Sequence, residues 1–442
     1  MEKIKVGMVS LGCPKNQVDA EMMLYLIKQA GFIITPNESE ADVIIVNTCG
    51  FIEDAKKEAI ENIVEVASYK TEGNLKSLIV SGCLAERYRD EILKEMPEVD
   101  AVVGIGQNSN IVGIINETLK NKQGGFYAEK ESLDIDADRI LTTPSYFAYI
   151  KIAEGCDNCC TYCAIPSIRG KFRSRTVESI VKEAEQLAKS GVKEVILVAQ
   201  DTTRYGEDIY GEAKIAELIE KIAEIEGIEW IRTLYSYPER LTDRLIKTVA
   251  NTKKAVKYFD IPIQHCNADV LKRMNRKSNR KMLTDLIAKI RKEIPEVIIR
   301  TTLITGFPGE TDEQFSELCE FVNEIGFDRL GCFAYSEEEG TPAARFSDQI
   351  EPQIRVDRAE TIMNDQMGIN ERKNTSKIGK TFKTLTEGYD NYIKCYYGRT
   401  YMDAPDIDGK VFFMSAKPLE IGSFVDVKIN DTIEYDLLGE TE

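Results

Sequence analysis

Three cysteines lie within eight residues of one another in the segment AEGCDNCCTYCAIPSIRG, where Cys156, Cys160 and Cys163 have the spacing C-x3-C-x2-C. Three thiolates that bind a four-iron cluster leave one iron open, as a catalytic centre requires. A structural zinc knuckle is the alternative, but it needs a fourth ligand, and only Cys159 is nearby. Closed four-sulfur zinc sites also have ligands spaced in pairs. The spacing therefore favours a catalytic iron-sulfur centre.

A second set of cysteines occupies a repeated position. Cys13, Cys49 and Cys83 each follow a short β-branched run, in VSLGC, IIVNTC and IVSGC. The carboxyl ends of parallel strands meet at one edge of a sheet, where such sheets bind ligands. Three separately buried structural cysteines are the alternative. Their shared position instead predicts a second iron-sulfur site, which Gly12 and Gly82 would let the backbone approach closely.

The composition excludes several classes of protein. The 442 residues include 57 Lys and Arg against 74 Asp and Glu, a net charge of −17, and 43 % of them are hydrophobic. A chain with this hydrophobic fraction can form hydrophobic cores and is expected to be folded. Its negative net charge argues against a general nucleic-acid binder. With His265 as its single histidine, it lacks the residues for His-rich metal sites and for Ser-His-Asp relays.

We expect a cytoplasmic protein that makes no contact with a membrane. The first residues, MEKIKVGMVSLGC, lack the apolar core of a secretory signal, and no run of about 18 apolar residues occurs. In a reducing compartment the 11 cysteines are better interpreted as metal or redox ligands than as disulfides.

The hydrophobic patterns predict an α/β fold in three parts. Residues 1–123 alternate short strands and helices as a small parallel α/β domain, and residues 124–144 form a linker. Residues 145–374 contain about six further βα units, a partial (βα)6 barrel. Short strands separated by glycines over residues 375–442 predict a small β-barrel.

The C-x3-C-x-aromatic-C pattern of the first set resembles the signature of the radical S-adenosylmethionine (SAM) enzymes. The resemblance implies that Cys156, Cys160 and Cys163 bind a [4Fe-4S] cluster whose open iron holds SAM. Electron transfer to SAM would then give a deoxyadenosyl radical. It also implies that Tyr162 lies beside SAM, although a tyrosine that packs only on its own loop is equally consistent with the sequence.

Two three-cysteine sets in this order, followed by a β-barrel, resemble the methylthiotransferases of that superfamily. These enzymes have an N-terminal cluster domain, a radical SAM domain and a C-terminal TRAM domain. The resemblance implies two [4Fe-4S] clusters, the second held by Cys13, Cys49 and Cys83, with SAM as both radical source and methyl donor. The resemblance leaves any catalytic residue beyond the cluster ligands unknown, and it implies flavodoxin or ferredoxin as electron donor.

Several motifs resemble the branch of this family that modifies a ribosomal protein. They are LGCPKNQVDAE, NTCGFIEDAKKEAI, YFDIPIQH, RTTLITGFPGET, YSEEEGTPA and GRTYMDAPDIDG. The tRNA branch typically has Gln-Met-Asn after its first cysteine. The resemblance implies that the substrate is an aspartate of ribosomal protein S-twelve, modified at its β-carbon, either free or in the small ribosomal subunit.

Four further residues are candidate SAM contacts on weaker grounds. Gln200 and Asp201 end the run EVILVAQD, where a barrel binds its ligands. Gly306 and Glu310 belong to GFPGE, a strand-to-helix turn of a kind found in many folds. His265 lies at a similar strand end, and a structural role is the better interpretation for it.

The segment IRGKFRSR carries four cations just after the first cysteine set, namely Arg169, Lys171, Arg173 and Arg175. A solvated loop face is one interpretation. The other is recognition of a carboxylate, on SAM or on the substrate aspartate.

The charge of the predicted C-terminal barrel bears on the partner. Residues 375–442 contain 8 Lys and Arg against 12 Asp and Glu. A barrel that binds tRNA should be basic, whereas an acidic barrel suits a basic ribosomal protein. The sequence thus favours a protein substrate over tRNA. A non-catalytic, zinc-binding module that associates with the ribosome remains the alternative from another class.

Overall fold

A computed structural model describes residues 3–441. Its N-terminal part is a parallel sheet of six strands in the order β2-β1-β3-β4-β5-β6 with helices on both faces. The elements are β1 (Lys5–Ser10), α1 (Pro14–Gln29), β2 (Ile33–Ile34), β3 (Val43–Thr48), α2 (Glu53–Ala67), α3 (Tyr69–Glu72), β4 (Ser77–Ser81), α4 (Gly82–Tyr88), α5 (Asp90–Glu95), β5 (Ala101–Val103), α6 (Ile111–Thr118) and β6 (Gly124–Phe126).

The four β-branched runs form the middle of this sheet. Both β3 and β4 are buried along their whole length, which explains their continuous apolar sequence. The edge strands β2 and β6 are not predicted by the hydrophobic pattern of the sequence. The first has two residues, and the second, GGF, lacks β-branched residues, yet it pairs with β5 through Ala101 and Gly124. The first residues of the predicted linker thus continue the sheet.

The central part has six parallel strands in two halves, ordered β11-β10-β7 and β12-β13-β14. Its elements are β7 (Phe147–Lys151), β8 (Ala153–Glu154), α7 (Ile165–Arg169), β9 (Arg173–Ser174), α8 (Val177–Lys189), β10 (Glu194–Val198), α9 (Glu207–Tyr210), α10 (Ile215–Ala223), β11 (Trp230–Thr233), α11 (Asp243–Asn251), β12 (Tyr258–Asp260), α12 (Ala268–Arg273), α13 (Arg280–Glu293), β13 (Ile298–Thr305), α14 (Asp312–Ile325), β14 (Arg329–Ala334) and α15 (Pro352–Thr375). A hydrogen bond from Ser236 N to Asp260 O, 2.8 Å long, joins the halves. The predicted partial barrel is confirmed.

Local sequence explains where the main helices begin. Thr176 caps α8 by accepting a hydrogen bond from Ser179 N, and Thr311 and Gln314 form a capping box on α14. The sequence analysis named no helix at α15, which has 24 residues. Its buried side chains include many polar ones, such as Arg355 and Gln366, so it lacks the apolar stripe that would identify it.

The C-terminal part is a closed barrel of five strands in the order β15-β16-β17-β19-β18. The strands are β15 (Thr381–Asp390), β16 (Cys395–Thr400), β17 (Val411–Met414), β18 (Phe424–Ile433) and β19 (Asp436–Thr441). The predicted β-barrel is therefore confirmed, with β15 as a strand that the sequence analysis did not name. Closure leaves no free sheet edge.

The barrel packs on the face of the central sheet that the outer helices do not cover. Tyr149, Ile196 and Trp230 of that sheet contact barrel residues such as Leu385 and Phe413 in one apolar cluster. Arg399 is buried at this interface. It donates to Glu194 of β10 at 2.8 Å and to Glu387 of β15 at 2.7 Å. A buried ion pair thus fixes the barrel to the sheet.

Among residues 3–441, no helix is both long enough and apolar enough to cross a membrane.

We predict that Arg399→Met lowers the free energy of unfolding by about 3–5 kcal/mol, because it leaves the buried Glu387 without its ion-pair partner and leaves Glu194 with Arg232 alone. The control is Lys383→Met. Its 2.9 Å pair with Glu229 also joins barrel and sheet, but both side chains are 47 % exposed, so we expect about 0–1 kcal/mol. Urea unfolding can be followed by the fluorescence of Trp230, whose ring lies 4.8 Å from that of Phe424 in the barrel. Equal losses in both variants would contradict this prediction.

Candidate active site

The first cysteine set lies in the loop between β8 and α7, at the carboxyl end of the first barrel strand. Backbone amides point at two of its sulfurs: Asn158 N donates to Cys156 Sγ at 3.4 Å, and Ile165 N donates to Cys163 Sγ at 3.5 Å. The hydroxyl of Tyr237 lies 3.7 Å from Cys160 Sγ. Hydrogen bonds to sulfur stabilise thiolates and tune the potential of an iron-sulfur cluster. The donor set therefore fits such a cluster.

Burial raises the pKa of two thiols of this loop, those of Cys156 and Cys163. Burial, and then repulsion from Cys160, raise the pKa of Cys156 to about 11. Burial and the same neighbour also raise the pKa of Cys163. A bound cation reverses this effect, because it stabilises each thiolate directly. The loop is consequently built to release protons when it takes up metal.

Cys159 lies apart from this set. It is exposed, has a φ of 52°, and its carbonyl accepts a hydrogen bond from Asn275 Nδ2 at 2.9 Å. Cys266 is buried in the central core and donates to Glu317 O. Across residues 3–441, no three His, Cys, Asp or Glu side chains form a group able to hold a single metal ion.

The second cysteine set lies at the carboxyl edge of the N-terminal sheet. Cys13 follows β1, Cys49 follows β3, and Cys83 lies in the first turn of α4 directly after β4. These three strands are neighbours in the sheet, so the ends that carry the cysteines are adjacent. Burial, followed by repulsion from Cys83, raises the pKa of Cys49 to about 12. The predicted convergence is confirmed by the sheet order.

Two glycines allow the backbone to approach at this edge. Gly82 has a φ of 89°, and a Cβ there would lie 2.4 Å from Thr48 O. A Cβ on Gly12 would lie 2.7 Å from the Cβ of Cys49. Side chains at either position would push the cysteine-bearing loops apart, so the glycines are needed for close contact.

The two cysteine sets face each other across α7. Cys83 packs against Ala164 and Ile168 in a small apolar cluster, and Ala164 directly follows Cys163. Arg169, at the end of α7, donates from Nη2 to Cys83 Sγ at 3.2 Å. The same helix therefore contacts one set and begins at the other.

A buried polar network holds this junction. The guanidinium of Arg169 pairs with Asp19 of α1 and with Glu154 of β8, and Lys151 of β7 pairs with the same two carboxylates. All four side chains are almost inaccessible to solvent. Although burial works to raise it, the pKa of Glu154 is held well below its usual range by Lys151 and Arg169. We call these four residues the junction network.

Three predicted SAM contacts lie near the first set. Gln200 donates from Nε2 to Glu154 Oε1 at 3.0 Å, and its Oε1 is buried without a hydrogen-bond partner among the described residues. Asp201 accepts from Asn158 Nδ2 at 2.9 Å. The hydroxyl of Tyr162 lies 3.5 Å from Arg276 Nη1. The structure therefore brings these side chains to the cysteine loop, and their contact with SAM stays a prediction.

The other two predicted contacts lie on the far half of the sheet. Gly306 has a φ of 67° and backs onto Arg355 of α15. Glu310 accepts from Arg358 Nη1 at 3.0 Å and from Phe307 N at 3.3 Å. Burial raises the pKa of Glu310 to about 7, against the effect of Arg358. The carboxylate is thus engaged within the chain, and a contact with SAM stays a prediction.

His265 is buried as a structural residue. Its Nδ1 accepts from Asn267 N at 2.9 Å, so the proton of the neutral ring is on Nε2. That atom lies 3.9 Å from Glu310 Oε2. Burial, and then the charge of Arg358, lower the pKa of His265 to about 3.

Neither interpretation of the basic segment fits its two buried arginines. Arg169 and Arg175 are both buried and bind carboxylates of the chain itself, Arg175 through Glu183 and Asp136. Arg173 donates to the backbone oxygens of Lys130 and Glu131. The segment therefore joins parts of the molecule. Sequence could not reveal this, because the arginines are buried by partners such as Asp19 and Asp136, which are distant along the chain.

Four further residues near the cysteine sets were not predicted from the sequence. Lys15 and Asp19 of α1 and Tyr235 and Tyr237 after β11 approach the cysteine sets. Only their closeness to Cys13 or to a strand end could have indicated them.

Three family models match successive parts of the chain. They are "Uncharacterized protein family UPF0004" at residues 5–104, "Radical SAM superfamily" at residues 150–322 and "TRAM domain" at residues 378–441.

Full-length relatives are similar throughout. A protein of Acetivibrio thermocellus named ribosomal protein uS12 methylthiotransferase RimO is 53 % identical, over 99 % of this chain and 98 % of its own. One of the same name from Desulforamulus reducens is 51 % identical, over 98 % of this chain and 99 % of its own.

Solved structures share the fold at low identity. The radical SAM methyltransferase TsrM from Kitasatospora setae, solved with tryptophan and a SAM analogue, has a TM-score of 0.58 and 12 % identity, over 83 % of this chain and 89 % of its own. The cobalamin-dependent radical enzyme OxsB has a TM-score of 0.51 and 14 % identity, over 82 % of this chain and 56 % of its own.

A six-stranded partial barrel with three cysteines at the end of its first strand defines a radical SAM enzyme, here flanked by a second cysteine-bearing domain and a TRAM barrel. Full-length identity then gives the narrower assignment. The chain belongs to the RimO family of ribosomal protein uS12 methylthiotransferases. Enzymes of this family use SAM and two [4Fe-4S] clusters.

We predict that His265 stays neutral from pH 8 to pH 5, because its pKa is lowered to about 3. Unfolding raises that pKa to its ordinary value of about 6.5. The contribution of this residue to stability is therefore present above pH 6.5 and is lost as the pH falls from there toward 3. As the only histidine, it gives unique signals in a protein labelled with ¹⁵N-histidine. An imidazolium shift with a midpoint between pH 5 and pH 8 would contradict this prediction.

Proposed function

We propose that this chain adds a methylthio group to the β-carbon of an aspartate in ribosomal protein uS12. Its relatives in the RimO family are named ribosomal protein uS12 methylthiotransferases. The observation that carries the proposal is the meeting of the two cysteine sets, joined by α7 and by the contact of Arg169 with Cys83. A transfer of sulfur from one centre to a carbon activated at the other needs this closeness.

We assign Cys156, Cys160 and Cys163 to the cluster that binds SAM, and Cys13, Cys49 and Cys83 to the cluster that presents sulfur. When bound, these groups would supply a radical that removes hydrogen from the β-carbon, and a methylated sulfur to replace it. Gln200, Asp201 and Tyr162 border the first set and would contact SAM. Gly306 and Glu310 would shape the far side of that pocket.

The protein itself would contribute position and exclusion of water. The junction network is buried, so Asp19 and Glu154 hold α1, β8 and α7 in one geometry whether or not substrate is present. A fixed, dry junction keeps a reactive radical close to its target and away from solvent. Positioning and the exclusion of water do not require a side chain that acts as an acid or a base.

The partner and the compartment follow from the same activity. A reduced flavodoxin or ferredoxin would supply the electrons, and a cytoplasmic location would suit a ribosomal substrate. The barrel supports a basic protein partner. Asp403 and Asp408 pair with Arg329 and Arg300 of the central part, and the remaining charge of residues 375–442 stays negative. Such a surface attracts a basic protein and repels tRNA.

The test is mass spectrometry of the small-subunit ribosomal proteins from cells with and without this gene. We expect one aspartate of uS12 to carry a methylthio increment only when the gene is present. If that increment persists without the gene while a methylthioadenosine disappears from tRNA, the chain acts on tRNA and the proposal is wrong. A zinc-binding, non-catalytic module would change neither.

The two cysteine sets should differ in what they support. Alanine at Cys156, Cys160 or Cys163 should abolish formation of 5′-deoxyadenosine from SAM. Alanine at Cys13, Cys49 or Cys83 should leave that reaction intact and block only the transfer of sulfur. Both products can be measured by mass spectrometry, with iron content as a check on loading.

The matched control is Cys159→Ala, in the same loop but exposed and outside the set. It should retain both reactions. Methylthiolation without Cys13, Cys49 or Cys83 would show that the second set is not the sulfur-presenting centre.

A further inference from the structure

Lys15 is a buried lysine without an ion-pair partner. Its side chain lies in the first turn of α1, two residues after Cys13, and the residue is 7 % exposed. Among residues 3–441, no carboxylate oxygen lies within 4.0 Å of its ammonium group. The group instead lies over the ring of Tyr235, 3.4 Å from the centroid. A buried ammonium normally has an anionic partner.

The neighbouring carboxylates are already paired. Asp19 and Glu154 each bind both Lys151 and Arg169. Two carboxylates therefore balance two cations in the junction network. Lys15 is a third cation beside these four residues, and it pairs with neither carboxylate.

Lys15 lies beside Cys13 of the second cysteine set and contacts a loop that reaches the first set. The loop after β11 contacts both of them: Tyr235 lies under Lys15, beside Cys13, and Tyr237 lies 3.7 Å from Cys160 Sγ. Residues 235–237 of this loop thus connect the surroundings of Cys13 with those of Cys160. A ligand bound at Lys15 would lie close to both centres.

The backbone of Tyr235 is strained to give this arrangement. Its φ is 61°, in the left-handed region that a tyrosine rarely adopts. Hydrogen bonds hold it there, from Tyr235 N to Asp260 Oδ2 at 2.9 Å and from Thr202 N to Tyr235 O at 3.1 Å. Strain of this kind collects at binding sites, where surrounding structure maintains it.

We propose that the ammonium group of Lys15 binds the side-chain carboxylate of the substrate aspartate and so positions its β-carbon between the two cysteine sets. This inference rests on the proposed function and names the residue that selects an aspartate. The substrate carboxylate would give Lys15 the ion-pair partner that residues 3–441 do not supply, and the β-carbon is directly bonded to that carboxylate. Fixing the carboxylate therefore fixes the atom that loses hydrogen and gains sulfur. Lys15 acts as a positioning residue.

The test compares two peptides on the SAM-bound enzyme that carries both clusters. One contains the target aspartate of uS12, and the other has asparagine in its place. We expect the wild-type enzyme to bind the aspartate peptide more tightly by about tenfold or more, as for a desolvated ion pair. Lys15→Met, which keeps the unbranched length and loses the charge, should bind both peptides equally. Fluorescence anisotropy under anaerobic conditions measures each Kd.

Two further variants make the result specific. Lys377→Met is the matched control, because Lys377 is also buried, at 9 % exposure, but lies near the barrel and donates to Asn374. It should keep the preference for aspartate. If Lys15→Met does not load iron, Lys15→Gln takes its place, and the same loss of preference is required.

Several results would overturn the inference. A Lys15 variant that still prefers the aspartate peptide would show that the carboxylate binds elsewhere. A wild-type enzyme that binds both peptides equally, yet methylthiolates uS12 in cells, would contradict this inference and leave the proposed function standing. Failure of uS12 modification in the gene comparison would instead remove the proposed function, and the inference with it.

Discussion

The contact between Arg169 and the carboxylates of Asp19 and Glu154 is the interaction on which the rest of the active site depends. It joins the helix that follows the first cysteine loop to a helix of another domain, and it ends on the sulfur of Cys83. Breaking one partner of such a network leaves a charge buried without compensation, which costs about 3–5 kcal/mol. The buried network therefore fixes the position of one cysteine set relative to the other, although the two sets lie in different domains.

A buried arginine that pairs with carboxylates also attaches the barrel to the central sheet. Arg399 is buried between Glu194 and Glu387, in an apolar interface on the sheet face opposite the outer helices. The C-terminal part is thus a rigid extension of the catalytic part. Its acidic surface is presented in a constant orientation, which suits a domain that guides a basic substrate toward the junction.

The buried polar side chains of this protein fix the relative positions of its elements more than they stabilise the fold. The junction network, Glu310 with Arg358, and the polar side of α15 all place charged or amide groups in the interior. The junction network and the pair of Glu310 with Arg358 both join residues that are far apart along the chain. Lys15 stands apart, because its contact is an aromatic ring that the carboxylate of a substrate could supplement.

The sequence by itself determined the two cysteine sets, the parallel strands that carry them, the partial barrel and the closing β-barrel, because spacing and β-branched runs are local signals. It could not identify α15, whose buried face is polar, or the edge strand GGF, whose residues show no pattern. Only the tertiary structure decided that Arg169 and Arg175 are buried, and that Lys15 lies over Tyr235, beside Cys13, with no carboxylate partner among residues 3–441. Those properties depend on which distant residues meet, and a charged residue has the same letter whether its partner is water, a carboxylate or a substrate.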